Sequence, residues 1–252
     1  MCNLWNGFPV ETLNFEGREA HVVFPASGTA NGLLALKTEY WNAFPKAAEI
    51  PLLEQGFHLC FITNDNRWGV DEDLDRKARF VKFVAEKYGL ATKTVPIGMS
   101  CGGLIAIKFA AKYPELVSCL YLDAPVLNYL SCPCGLGVGV PLGEGAGVQE
   151  LLNALRMESM SQLIGYREMP LDKLPVLVQN RIPVVLVAGG SDVTVPFEEN
   201  GALLQSAYEK AGLECQVYIK PDCGHHPHGL ETPDKVVRFI LQHGKEKTHG
   251  TL

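Results

Sequence analysis

Short apolar runs rich in β-branched residues alternate along this chain with longer stretches whose apolar residues recur at helical spacing. Few architectures satisfy that alternation: it requires a mostly parallel sheet covered by helices on both faces. "VETLNF" and "REAHVVFP" flank Glu16-Gly17 and form an N-terminal hairpin. "FHLCFI" (57–62), "KTVPIG" (93–98), "LVSCLYL" (116–122), "IPVVLVAGG" (182–190) and "ECQVYIK" (214–220) supply further strands. Each is a short continuous apolar run, as expected of a strand buried on both sides.

Between them, Leu74, Ala78, Val81, Val84, Ala85 and Tyr88 give the 73–88 stretch one apolar face, while the acidic "DEDLD" (71–75) suits a helix start through the helix dipole. The stretch 101–113 carries charge only at Lys108 and Lys112, which share one stripe; the rest of that helix must be buried. Thr232-Pro233 and Gly244 read as the cap, first turn and stop of a C-terminal helix. Residues 126–175 break the rhythm. A Gly-rich loop (131–147) and a short helical stretch there form an insertion of cap size after the 116–122 run, counted as strand six, within a single domain spanning 1–252. That loop is expected to be mobile and to shape the mouth of any site at this edge, as a lid or folded flat.

Composition narrows the partners. A formal charge of −6 argues against nucleic acid, which needs a basic face, and favours a small molecule. No stretch is long and apolar enough to span a membrane, and the N-terminus lacks a basic segment followed by an apolar one, so a cytoplasmic location is expected. Eight scattered cysteines fit reduced thiols better than a disulfide framework. Oligomeric state is not legible.

The chemistry concentrates at Gly98-Met99-Ser100-Cys101-Gly102, a G-x-S-x-G. By composition alone about one chain of this length in ten contains that pattern, so context must decide. Here it follows a strand and precedes a buried helix, the setting of a nucleophile elbow. Flanking glycines clear the corner, and the helix N-terminus presents free N–H groups where an oxyanion would form. A serine hydroxyl needs a base, and the base an orienting acid. Asp192 stands just past the run 182–190 and His225 just past 214–220, so all three fall at carboxyl ends of successive strands. Ser100 is the expected nucleophile, His225 the base and Asp192 its orienter, with His226 as the alternative base. The Cys101 N–H supplies one oxyanion donor; the second lies within 25–38, residue unassigned.

With these motifs the sequence resembles the α/β-hydrolase superfamily from about Glu11 to Gln242. It is more narrowly similar to bacterial esterase-like hydrolases regarded as acting on acylated carbohydrates. Gly98-Met99-Ser100-Cys101-Gly102-Gly103, Asp123-Ala124-Pro125-Val126, Val195-Pro196-Phe197-Glu198-Glu199-Asn200 and Gly224-His225-His226-Pro227-His228 carry the match. Where similar proteins carry Arg-x-Glu-aromatic, this chain has Lys37-Thr38-Glu39-Tyr40. The resemblance implies the α/β-hydrolase fold and a cofactor-free serine hydrolase acting on a carboxylic ester, from short-chain esters to acylated sugars. A peptidase or amidase using the same triad, and a non-catalytic binding protein on the same fold, are the alternatives. Against the peptidase stands the length, which leaves no room for the propeller of related oligopeptidases.

Other candidates have plainer explanations. His225-His226-Pro227-His228 lacks a zinc-type pattern, and Pro227 precludes the helical spacing of H-E-x-x-H, so no metal is expected. Cys132-Pro133-Cys134 is not C-x-x-C and reads as a loop, and Cys101 should pack. His21 and His58 are lone strand histidines; Tyr40, Trp41 and Phe44 suit a helix-face core as well as an acyl pocket.

Overall fold

The computed structural model of the protein describes residues 3–244. The strands, in chain order, are β1 (Leu4–Trp5), β2 (Phe8–Phe15), β3 (Arg18–Val23), β4 (Leu34–Lys37), β5 (His58–Ile62), β6 (Thr94–Met99), β7 (Leu120–Asp123), β8 (Val184–Gly189) and β9 (Cys215–Lys220). They form one sheet in the order β1-β2-β3-β5-β4-β6-β7-β8-β9. β1, β2 and β3 pair antiparallel, as do β3 and β5; the rest of the sheet is parallel. The helices are α1 (Glu49–Glu54), α2 (Asp71–Tyr88), α3 (Cys101–Lys112), α4 (Ala146–Ala154), α5 (Met160–Gly165), α6 (Leu174–Gln179), α7 (Gly201–Lys210) and α8 (Asp234–His243). This is the α/β-hydrolase fold.

Side chains of a strand point alternately to opposite faces, so each central strand feeds two apolar layers. Leu34, Leu36, Cys60, Ile62, Leu120, Leu122, Leu186 and Ala188 join the layer containing α2 to α7. Ala35, Leu59, Val95, Ile97, Tyr121, Val185 and Val187 join the layer containing α1 and α8. Double burial explains the near-absence of charge in these strands.

Several expectations need correction. β4 lies inside the segment read as a loop over 25–38; it is only four residues long and ends on a charged residue, so composition hides a central strand. The two-residue β1 was also unforeseen, and with β1 and β4 both present the strand before the insertion is the seventh, not the sixth. The run from 116 pairs as a named strand only from Leu120, because Pro114–Leu116 is a 3-10 turn and Val117 makes a lone bridge to Thr94. α8 starts at Asp234 behind Pro233 with no side-chain cap, leaving Thr232 outside, while Gly244 does close the helix. Lys108 is buried rather than solvated. The 126–175 insertion holds α4, α5 and the start of α6, and buries Leu151, Leu152, Leu163 and Leu174 in the same layer as α3. Among the described residues no helix is long and apolar enough to cross a membrane. Seven cysteines are free thiols; Cys2 lies outside the described residues.

Candidate active site

β6 delivers its chain directly into α3, and Ser100 occupies the corner. Its backbone sits at φ 52°, ψ −122°, a conformation that costs a non-glycine residue about 1–3 kcal/mol and persists only where the surroundings enforce it. They do so through the backbone. The Ser100 N–H donates to the Asp123 carbonyl (2.9 Å), and the Ser100 carbonyl accepts from the Gly103 and Val126 amides (2.9 and 3.1 Å). The corner closes only because side chains are missing. A Cβ on Gly98 would stand 2.4 Å from the Gly102 carbonyl oxygen, and one on Gly103 would stand 2.4 Å from Pro125 Cβ.

Ser100, His225 and Asp192, 125 and 33 residues apart in sequence, meet in one hydrogen-bonded chain. His225 Nε2 lies 3.0 Å from Ser100 Oγ and His225 Nδ1 lies 2.7 Å from Asp192 Oδ2. A carboxylate only accepts, so Nδ1 carries the proton and the Nε2 lone pair faces the serine hydroxyl. The Asp192 carboxylate is itself held, since its Oδ1 accepts from the Thr194 and Val195 amides, both at 2.8 Å. Burial pushes its pKa up, but the His225 bond and these amides outweigh burial and hold it below the ordinary value. The Ser191 N–H bonds to the Cys223 carbonyl (3.0 Å), tying the Asp192 turn to the histidine loop. His226 stays apart. It is exposed and stacks on Phe44 at 5.6 Å between ring centroids.

At the oxyanion position, the Cys101 N–H begins α3 and so has no intrahelical acceptor. The Cys101 side chain is buried, and that burial pushes its thiol up to about 11. Within 25–38, residues 34–37 are sheet and the Thr38 N–H is taken by the Ile97 carbonyl (3.1 Å). Just past β4, the Glu39 amide nitrogen lies 3.6 Å from where a Cβ on Gly102 would stand, beside the start of α3. Glu39 itself is fixed by Asn64 Nδ2, which donates to its carboxylate at 2.5 Å.

Other residues support the site without any signal in sequence spacing. Asp123, at the end of β7, is nearly inaccessible, and its carboxylate accepts from His228 Nδ1 (2.7 Å), the Gly229 amide (2.6 Å) and the Tyr121 hydroxyl (2.9 Å). One residue thus grips the nucleophile corner through its carbonyl and the histidine loop through its side chain. A charged residue ending an apolar strand beside the nucleophile strand was the available clue. Below the corner, Lys37 forms a fully buried pair with Glu49 and reaches Met99 Sδ at 3.4 Å, which gives the Lys37 departure from the related pattern a structural place. Tyr40, Trp41 and Phe44 lie in turns, not on a helix; Trp41 stacks on Trp5 and His21, and Phe44 packs on His226 and His228. His21 bonds Thr12 (3.0 Å), whereas His58 Nδ1 is buried without a partner and burial lowers its pKa.

The Gly-rich segment is folded down beside Asp192. Val138 N donates to Glu199 Oε1 (2.8 Å), Ser131 Oγ to Glu199 Oε2 (2.6 Å), and Val140 N to the Val193 carbonyl (2.8 Å).

A sequence profile described as the prolyl oligopeptidase family matches residues 62–247 of the 252. The chain belongs to the prolyl oligopeptidase family. That places it among serine hydrolases of the α/β-hydrolase superfamily. No curated protein sequence matches it. Similar solved structures include acylaminoacyl peptidase of Pyrococcus horikoshii (14% identity, TM-score 0.69), which covers 97% of this chain but only 43% of its own. Dipeptidyl peptidase 4 of Porphyromonas gingivalis is similar at 15% identity and TM-score 0.68, covering 94% of this chain and 36% of its own. Est1E of Butyrivibrio proteoclasticus, at 17% identity and TM-score 0.66, covers 93% of this chain and 98% of its own. The chain thus spans less than half the length of those peptidases and nearly the whole of Est1E. At these identities the likeness is one of fold.

Proposed function

We propose that this family member is an esterase: Ser100 attacks a carboxylic ester, an acyl-enzyme forms, and water releases the acid. The observation that carries this is the continuous chain from Ser100 Oγ through His225 to Asp192, with contacts of 3.0 and 2.7 Å. As Ser100 Oγ bonds to the ester carbon, its proton passes to His225 Nε2, and the imidazolium is stabilised by the Asp192 carboxylate. The developing oxyanion takes the N–H groups of Cys101 and Glu39. The ester C–O bond then breaks and the alcohol leaves with the proton from His225. Water repeats the sequence on the acyl-enzyme, His225 taking its proton and returning it to Ser100.

The flat docking of 131–140 on Glu199 and Val193 favours a short acyl group, such as acetyl on a sugar, over a long chain needing a lid. Free thiols throughout the described residues fit a reducing, cytoplasmic setting. Amide cleavage by the same residues is the second reading. The acylaminoacyl peptidase and dipeptidyl peptidase among the similar structures favour it. An amine leaves only after protonation, so amides test His225 as an acid more severely than esters do.

The experiment pairs a p-nitrophenyl acetate and p-nitrophenyl decanoate series with matched anilides and acetylated sugars, alongside fluorophosphonate labelling. Acetate turnover far above decanoate and anilide turnover, lost by at least about 10³-fold in Ser100→Ala with loss of labelling, is expected. Unchanged turnover and labelling in that variant would overturn the assignment. Anilide turnover rivalling that of the ester would establish the peptidase reading instead.

A further inference from the structure

We infer that His225, His226 and His228 form a site for a zinc-class divalent cation, and that its occupation switches the hydrolase off. The sequence tract has no zinc-type spacing; folding creates the cluster. One nitrogen from each of the three rings lies within 4.8 Å of the other two. The ring centroids are 4.8, 5.1 and 4.9 Å apart. Three imidazoles bound tetrahedrally at about 2.0–2.1 Å would place their centroids about 5 Å apart, so the rings already stand at ligating separation. Binding draws the nitrogens in to about 3.3 Å from one another.

Two of the rings are also oriented as metal-binding histidines are. A ligating imidazole ordinarily donates its other N–H to a carboxylate, which fixes the tautomer and turns the free lone pair toward the metal. His225 donates Nδ1–H to Asp192 and His228 donates Nδ1–H to Asp123, both at 2.7 Å, leaving the two Nε2 atoms as the ligating positions. The third ring, His226, is exposed and rests against Phe44. The loop between is anchored by Lys220 Nζ, which donates to the Pro227 and Gly229 carbonyls at 2.5 and 2.9 Å. Two carboxylates behind the rings offset the charge of a cation, and an all-imidazole set suits borderline metals over calcium or magnesium. The fourth position is left to water.

The effect on rate rests on the triad reading above. His225 Nε2 has one lone pair, which accepts from Ser100 Oγ at 3.0 Å in the metal-free protein. Coordination takes that lone pair, so Ser100 loses its base. No bond within the protein is made or broken, and a chelator reverses the effect.

The test uses Co²⁺ as the spectroscopic probe and Zn²⁺ as the inhibitor, on the full chain. In both wild type and Ser100→Ala, Co²⁺ should produce a saturable visible d–d band without a sulfur-to-metal charge-transfer band, and Zn²⁺ should abolish it by competition. Long-range ¹⁵N imidazole spectra should shift for all three rings. Zn²⁺ should inhibit wild-type turnover, with recovery on chelation. His226→Gln, a surface change, should weaken both Co²⁺ binding and Zn²⁺ inhibition by at least about tenfold, each measured against that variant's own metal-free state. Absence of the band, a shift confined to His226, or binding unaltered in His226→Gln would overturn the inference. An inert wild-type enzyme would defeat the proposed function and leave the cobalt titration to decide the metal site by itself.

Discussion

Replacing Gly103 by alanine adds one methyl group where the nucleophile corner has no room for it. The new Cβ would stand 2.4 Å from Pro125 Cβ and 2.7 Å from Pro125 Cα. Carbon–carbon contacts settle at about 3.5–4.0 Å, so the overlap exceeds an ångström and falls on a proline that cannot rotate away. α3 is buried from Cys101 to Ala110 and has no free direction in which to retreat. Overpacking of this kind costs about 3 kcal/mol, against about 1 kcal/mol returned by replacing a helical glycine. The net loss of about 2 kcal/mol lowers the melting temperature of a chain this size by about 4–8 °C. The catalytic loss should be larger. Ser100 hangs on the same turn, its carbonyl bonded to the Gly103 amide, and a shift of about 1 Å away from His225 costs about 100-fold in kcat. Gly102→Ala is the packing control, read in the melts, because its Cβ meets no atom closer than Thr38 Oγ1 at 3.1 Å, with Glu39 Cβ at 3.3 Å and the Glu39 amide nitrogen at 3.6 Å. Differential scanning fluorimetry and ester kinetics on the three proteins decide the matter. Wild-type melting and turnover in Gly103→Ala, or equal losses of melting temperature in both variants, would refute the packing argument.

Asp192→Asn should lower kcat by about 10⁴ with little change in KM, since the amide no longer fixes the His225 tautomer. Because the folded pKa of Asp192 is depressed, its contribution to stability is present above the ordinary Asp value of 3.8 and is lost as pH falls through the lower folded value; urea melts of wild type and Asp192→Asn should therefore converge over that acid window. Lys37→Met strands the buried Glu49 carboxylate and should cost about 3–5 kcal/mol, whereas Lys37→Met with Glu49→Leu should recover most of it in denaturant melts. A thiol reagent should react with half-buried Cys223 in native protein but spare Cys60 and Cys119, whose burial pushes both thiols up to about 12; mass mapping of the labelled sites reads this directly.

The strands and helices were legible to the degree that burial leaves a pattern. β6, β8 and β9 stand within a residue or two of their apolar runs, and α2 follows its apolar stripe. β4 was missed because four residues ending in a lysine do not exceed the noise of composition, although Lys37 is among the most buried side chains in the chain. The second oxyanion donor stayed unassigned within 25–38 for the same reason: without β4, the end of that strand could not be counted.

By itself the sequence determined the parallel sheet, the corner at Ser100 and the order of the three residues that meet there, since each is written in local periodicity, glycine placement and strand ends. Only the tertiary structure shows that His225, and not His226, stands within reach of Ser100, because adjacent residues in a loop differ in which way they point. Only it placed Asp123 under both the nucleophile corner and the histidine loop, and gathered three histidines into one cluster. The contacts of the histidine loop with Ser100 and Asp123 join residues more than a hundred positions apart, and a chain records such contacts in the packing of its sheet rather than in any stretch that can be read along its length.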